Sequence, residues 1–112
     1  MQSDDLLYLG HMLDMARKAY LRVIDLNEDE YDTDEDVQLA LTHLVQIIGE
    51  AARRVSPECQ ASLPEIPWRE IIGMRNRIVH DYLGVDEEIV WEVVTADLPH
   101  LLAALERVVT VD

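Results

Sequence analysis

The side chains best suited to chemistry are Arg75 and His80, five positions apart, with Asn76, Arg77 and Tyr82 beside them. Histidine serves as a general acid or a general base near neutral pH because its unperturbed pKa is about 6.5. Arginine carries a permanent charge and a planar guanidinium that matches phosphate oxygens. These residue types suit cleavage of a phosphodiester without a metal, with Arg75 stabilising the transition state and Asn76 orienting the substrate or contacting phosphate. Arg77 could also contact phosphate, or it could belong to a solvated helix face.

Cleavage of RNA by its own 2′-hydroxyl requires a base for that hydroxyl and an acid for the leaving 5′-oxygen. The motif supplies one histidine in each chain. A two-fold homodimer with the motif at its interface would bring a second Arg75–His80 pair to the same site. The spacing alone is a weak signal, because an arginine and a histidine five apart are common on helices. In the structural alternative, His80 only stabilises the negative end of a helix.

The charge distribution favours an anionic ligand for the middle of the chain. The net charge is −14, which by itself disfavours nucleic acid because RNA binding relies on cationic groups. Residues 53–80 are the exception, since five arginines and three glutamates give them a net charge of +2. The acidic remainder is expected to keep the protein soluble or to face a basic partner.

The composition also predicts a cytoplasmic protein that needs neither a metal nor another cofactor. Cys59 is the single cysteine and cannot form an intrachain disulfide. The chain starts without a signal-peptide pattern, and its apolar runs are too short to span a membrane. Its other histidines, His11, His43 and His100, have no spacing typical of metal ligands.

The elements that must position the motif are helices, because apolar residues recur every three or four positions along most of the chain. A first helix is predicted near the start of the chain. Residues 27–36 read as a solvated polar turn ending in a cap at Thr33 or Asp34, and a second helix follows over about 35–55. Gly49 lies inside this helix, where glycine costs about 1 kcal/mol relative to alanine, so we expect a close helix–helix approach there.

The motif itself is predicted to end a third helix over about 67–82, with Gly84 as the residue that terminates it. Asp86 is the expected cap of the last helix, in which Pro99 predicts a kink. Long helices joined by short connections indicate an all-α fold, an up-down bundle of four to five helices with a kinked last helix. Residues 1–112 are expected to form a single domain.

Several short segments resemble, in content and order, the HepT-like branch of the HEPN superfamily. They are QIIGEA at 46–51, IPW at 66–68, RNRIVHDY at 75–82, VW at 90–91 and DLP at 97–99. The resemblance covers essentially the whole chain. It implies a HEPN-like helical bundle that forms a homodimer and cleaves RNA without a metal, as the toxin of a toxin–antitoxin pair.

The resemblance also implies roles for single residues. Arg75 and His80 match the catalytic pair, and Asn76 matches the polar position that often follows the arginine. Tyr82 matches the tyrosine to which the antitoxin, an MntA-like nucleotidyltransferase, attaches AMP. The partners implied are therefore a second copy of the chain, an RNA substrate and this nucleotidyltransferase, with no membrane.

Two other functions compete with a ribonuclease. The bundle could dimerise and dock a nucleotidyltransferase while Arg75 and His80 hold a nucleotide without cleaving anything. A plain helical adaptor is disfavoured, because an adaptor does not need a basic stretch centred on this motif. Glu50 could face the cleft, but pairing with a nearby arginine is preferred. Trp68 and Trp91 are expected in the core or at a dimer interface.

Overall fold

A computed structural model describes residues 2–79 and 84–109. This part of the chain is helical apart from turns and one isolated backbone bridge, which confirms the all-α bundle. A π-helical segment at Val93–Asp97 connects the last two α-helices. The α-helices are α1 (Asp5–Val23), α2 (Glu28–Asp32), α3 (Glu35–Arg54), α4 (Pro57–Ser62), α5 (Trp68–Ile72), α6 (Met74–Ile78), α7 (Glu87–Glu92) and α8 (Leu98–Val109).

The frame of the bundle is α1 with two antiparallel neighbours, α3 and α8, on which it packs most extensively. Asp5, at the start of α1, is only 2 % exposed and binds Ser56, which lies just beyond the end of α3. Its carboxylate accepts hydrogen bonds from the Ser56 backbone N–H at 2.8 Å and from the Ser56 hydroxyl at 2.7 Å. These bonds lower the pKa of Asp5 below its usual value. On the other side, Arg17 of α1 pairs with Glu106 of α8 at 3.0 Å.

The polar stretch 27–36 differs from the solvated turn that its composition predicted. It contains α2, which begins with a capping box formed by Asn27 and Glu30. Tyr31 of α2 is completely buried, and its ring lies 4.9 Å from the ring of Trp91 between centroids. The turn is therefore anchored to the core by one aromatic side chain, which local polarity could not indicate. The cap predicted at Thr33 or Asp34 is at Asp34.

The predicted third helix over 67–82 is wrong in its continuity and in its end. The chain forms two short helices, α5 and α6, interrupted at Gly73, and α6 stops at Ile78. A single straight helix would place Trp68 and Met74 about 120° apart around its axis. Both side chains are buried. The interruption allows both helices to turn their apolar residues toward the core. Gly73 favours a break at this point because glycine is a poor helix former.

Pro99 affects the last helix through a π-helical segment. Proline has no N–H to donate to the carbonyl four residues earlier and crowds that carbonyl. In the preceding turn, the Leu98 N–H bonds to the carbonyl of Val93, five residues back. The Thr95 hydroxyl donates to the Trp91 carbonyl at 2.8 Å. The predicted irregularity is thus present as a wide turn at Val93–Asp97 before the proline. Asp86 caps α7, as the sequence predicted.

The close approach predicted at Gly49 is confirmed. A β-carbon built on Gly49 would lie 3.0 Å from the backbone oxygen of Ile71 in α5. Real β-carbons essentially never come closer than this distance to such an atom. The absence of a side chain at Gly49 therefore allows α5 to pack directly on α3.

We expect Gly49→Ala to lower the free energy of unfolding although alanine is the better helix former. The helix propensity gained is about 1 kcal/mol, whereas overpacking against a backbone atom costs about 1–3 kcal/mol. Gly10 of α1 provides the matched control, because its nearest neighbour would lie 4.0 Å from an added β-carbon. Gly10→Ala should stabilise by about 0.5–1 kcal/mol. Urea unfolding of both variants measures the difference, and equal stabilisation would contradict the close approach.

Candidate active site

Residues 75–78 of the motif lie on α6, a helix of five residues. Met74 and Ile78 are buried, one turn apart, and fix the helix to the core. Successive residues step by about 100° around a helix. Asn76 therefore points directly away from the core, while Arg75 and Arg77 emerge on opposite sides of it. All three side chains are exposed.

The end of α6 is closed by two backbone contacts. Val79 is extended and forms an isolated antiparallel bridge with Val85. The Asp86 N–H donates to the Ile78 carbonyl at 2.7 Å. The chain therefore reverses direction between α6 and α7, and both flanks of residues 80–83 are held together.

The predictions for His80 and Tyr82 fall outside the described residues. The expectation that Arg75 and His80 lie on one helix is wrong, because α6 ends at Ile78 and Val79 is extended. The helix ends at Ile78 because the Ile78 carbonyl accepts a hydrogen bond from the Asp86 N–H, while Val79 is extended and bridges to Val85.

Arg77 and Arg75 differ in their electrostatic environment. The Arg77 guanidinium lies 3.6 Å from the carboxylate of Asp97, and both side chains are about half-exposed. Within the described ranges, Arg75 forms no ion pair. Arg75 and Asn76 are thus open to an anion, whereas a phosphate at Arg77 would compete with Asp97.

Arg77 and Asp97 also border a groove of about 430 Å³ between α5–α6 and the last helix. Its floor is apolar and includes Ile71, Met74 and Leu101, and its rim carries Glu70 and His100. The motif therefore lies next to a concave surface with charged side chains of both signs on its rim.

The remaining candidates have structural contacts. Glu50 pairs with Arg53 at 3.9 Å on the surface of α3, which is the pairing preferred from the sequence. Trp68 is buried, and its indole N–H donates to the Leu63 carbonyl at 3.1 Å. Trp91 packs on Tyr31. Both tryptophans therefore contribute to the core.

Two features near the motif were missed from the sequence. Asp97 belongs to a segment that resembled the family, but nothing in its spacing indicated a contact with Arg77. Tyr31 is an isolated aromatic residue in an acidic run, and its hydroxyl donates to Glu87 at the start of α7. The available signal for its burial was the presence of a single aromatic side chain in a run that is otherwise polar.

No described helix is long and apolar enough to cross a membrane. In residues 2–79 and 84–109, no three His, Cys, Asp or Glu side chains group together as they would to hold a metal ion.

The model of one protein family, "Ribonuclease HepT-like", matches residues 12–108. The chain belongs to the ribonuclease HepT-like family. The match includes every element from within α1 to within α8, and with it the whole Arg75–Tyr82 motif. The resemblance inferred from the short segments is thereby confirmed.

Curated relatives carry related names. "Putative RNase MJ1380" of Methanocaldococcus jannaschii is 29 % identical over 101 residues, covering 90 % of this chain and 93 % of its own. "Putative RNase TTE0752" of Caldanaerobacter subterraneus subsp. tengcongensis is 32 % identical over 94 residues, 84 % of each chain. "Probable ribonuclease HepT" of Thermococcus cleftensis is 35 % identical over 79 residues, 70 % of this chain and 72 % of its own. No solved structure matches the chain significantly.

The contact between Arg77 and Asp97 leads to a prediction about RNA affinity. Asp97→Asn removes a negative charge and frees Arg77, so the Kd for single-stranded RNA should fall up to about fivefold, the equivalent of a surface ion pair. The free energy of unfolding should change by less than about 1 kcal/mol. Asp14→Asn on α1 changes the net charge equally at an exposed position and is the control. Equal effects of both variants in a binding titration would contradict a local role of Asp97.

Proposed function

We propose that the chain is a metal-independent endoribonuclease and the toxic component of a toxin–antitoxin pair. The observation that carries this proposal is the placement of Arg75 and Asn76. They are exposed on a turn that two buried residues, Met74 and Ile78, hold to the core. They also lie in the net-positive stretch of an acidic chain. Family membership and the names of the relatives support ribonuclease activity.

In the proposed reaction the 2′-hydroxyl of a ribose attacks the adjacent phosphorus as His80 accepts its proton. The P–O5′ bond breaks, and the leaving oxygen takes a proton from a protonated histidine. The products are a 2′,3′-cyclic phosphate and a free 5′-hydroxyl. Arg75 offers two parallel N–H donors to the non-bridging oxygens, whose charge grows in the transition state.

The other motif residues act on binding and regulation. Asn76 points outward from α6 and contacts a phosphate of the RNA. Arg77 assists once the phosphate displaces Asp97 from its guanidinium. Tyr82 is the residue to which a nucleotidyltransferase antitoxin attaches AMP, which adds negative charge beside the arginine that would bind RNA phosphate.

The proposed active form is a homodimer with the motif at its interface. Each chain provides one motif histidine, whereas the reaction uses a base and an acid at the same time. A second copy across a two-fold axis supplies the second histidine. The exposed face of α6, with its flanking groove, is the surface available for this arrangement.

The catalytic assignment predicts that His80→Ala and Arg75→Lys each lower kcat by at least about 100-fold. Lysine retains the charge at position 75 but lacks the planar fork. Arg22→Lys on α1, far from the motif in the sequence, is the matched control and should cleave normally. Cleavage of labelled RNA should survive a chelator, and mass spectrometry should detect the cyclic phosphate.

Four results would contradict this assignment. They are full activity in either motif variant, a metal requirement, nucleotide binding without any cleavage of RNA, and a monomer at micromolar concentration in sedimentation. The motif variants should sediment as the wild type does, which separates loss of chemistry from loss of assembly.

The regulatory assignment predicts that Tyr82→Phe still cleaves RNA but escapes neutralisation by a partner nucleotidyltransferase. Wild type incubated with that enzyme and ATP should gain mass in AMP increments on the peptide that contains Tyr82. Tyr8 and Tyr20 are partly exposed and serve as internal controls, whereas Tyr31 is buried. Modification of Tyr8 or Tyr20 instead, or no added mass, would refute the assignment.

A further inference from the structure

Among the described residues, Tyr31 combines complete burial of a large side chain with a polar contact to an element distant in the sequence. It is 0 % exposed, although it lies in an acidic run. Its hydroxyl donates to the Glu87 carbonyl oxygen at 2.9 Å and faces the Glu87 carboxylate oxygen Oε2 at 3.1 Å. Burial and the nearby carboxylate raise the pKa of Tyr31, so the hydroxyl remains a donor at neutral pH. The contact joins α2 to the first residue of α7.

Glu87 is directly connected to the closure that follows α6. The preceding residue, Asp86, donates its N–H to the Ile78 carbonyl at 2.7 Å. One residue earlier, Val85 forms the antiparallel bridge with Val79. The Tyr31 hydroxyl therefore binds Glu87, the residue directly after Asp86. Asp86 is itself part of the contacts that join the two flanks of residues 80–83.

The packing of the ring and the bonds of the hydroxyl are separable. The ring lies against Trp91, at 4.9 Å between centroids, and contributes to the core whether or not the hydroxyl is present. The hydroxyl adds a directional bond to the main chain of Glu87, which packing does not provide. Glu87 is only half-buried, so loss of the hydroxyl mainly removes a directional restraint on its main chain, and the first turn of α7 is then free to shift.

We propose that Tyr31 is a positioning residue for the ribonuclease site, acting through Glu87 and Asp86 on the segment between α6 and α7. This inference rests on the proposed function, because it gives α2 a part in setting the rate of RNA cleavage. Tyr31 touches neither RNA nor the reacting atoms. It limits the positions that the flanks of residues 80–83 can adopt, and an active site requires such support for its catalytic side chains.

The test compares Tyr31→Phe, which removes only the hydroxyl, with wild type well below the unfolding temperature. We expect kcat to fall about tenfold, the equivalent of a well-formed hydrogen bond, while KM changes less than about twofold. Hydrogen exchange of the Asp86 and Val79 amides should accelerate by a similar factor. Those amides donate to Ile78 and Arg75.

Three further variants isolate the bond. Thr33→Val removes an exposed hydroxyl that donates to Glu30 at the end of α2, and should leave kcat and both amides unchanged. Glu87→Gln retains two oxygen acceptors for Tyr31 and should keep near-normal kcat. Glu87→Ala loses one of these acceptors and should show a decrease in kcat smaller than that of Tyr31→Phe. It tests the proposal by a second route if Tyr31→Phe does not fold.

Normal kcat together with normal exchange at Val79 and Asp86 in Tyr31→Phe would overturn the proposal. So would faster exchange spread evenly over α1 and α3, because that result indicates a general loss of stability. A wild-type chain that does not cleave RNA contradicts the proposed function instead. In that case the exchange rates at Val79 and Asp86 still decide whether Tyr31 holds the segment.

Discussion

The position of the motif depends on the contact between α3 and α5 at Gly49. Because Gly49 has no side chain, the backbone of α5 approaches to a distance that a β-carbon would not allow. Trp68 and Ile71 of α5 are buried in the core, and α6 follows after the single residue Gly73. The orientation of the exposed face of α6 therefore depends on packing in the middle of α3.

A second constraint acts on the other end of α6. The bridge between Val79 and Val85 and the bond from Asp86 to Ile78 bring the start of α7 against the end of α6. The hydroxyl of Tyr31 in turn ties α7 to α2. Elements distant in the sequence thus meet at the flanks of residues 80–83, and one of them is α2, which the sequence predicted to be a solvated turn.

Part of the positive charge of the motif is neutralised by the π-helical segment that precedes α8. The π-helical segment adds a residue to the turn before Pro99, which changes the side on which Asp97 leaves the helix. Asp97 lies 3.6 Å from Arg77 across the groove. The irregular turn before Pro99 therefore contains the carboxylate that pairs with Arg77 of the motif. The net-positive stretch seen in the sequence is in part neutralised in the fold, and of the two arginines on α6 it is Arg75 that forms no ion pair with another described residue.

Local physics was sufficient to predict what depends on neighbouring residues in the chain: the all-α class, the caps at Asp34 and Asp86, and the interruption caused by Pro99. Residue types and their order also determined the family and the candidate residues Arg75 to Tyr82, because those depend on chemistry rather than on contacts. Only the tertiary structure decided that the third helix breaks at Gly73 and ends at Ile78, since both short helices must bury apolar residues on the same core. The burial of Tyr31 and the pairing of Arg77 with Asp97 join residues 56 and 20 positions apart, and no periodicity along the chain encodes such contacts.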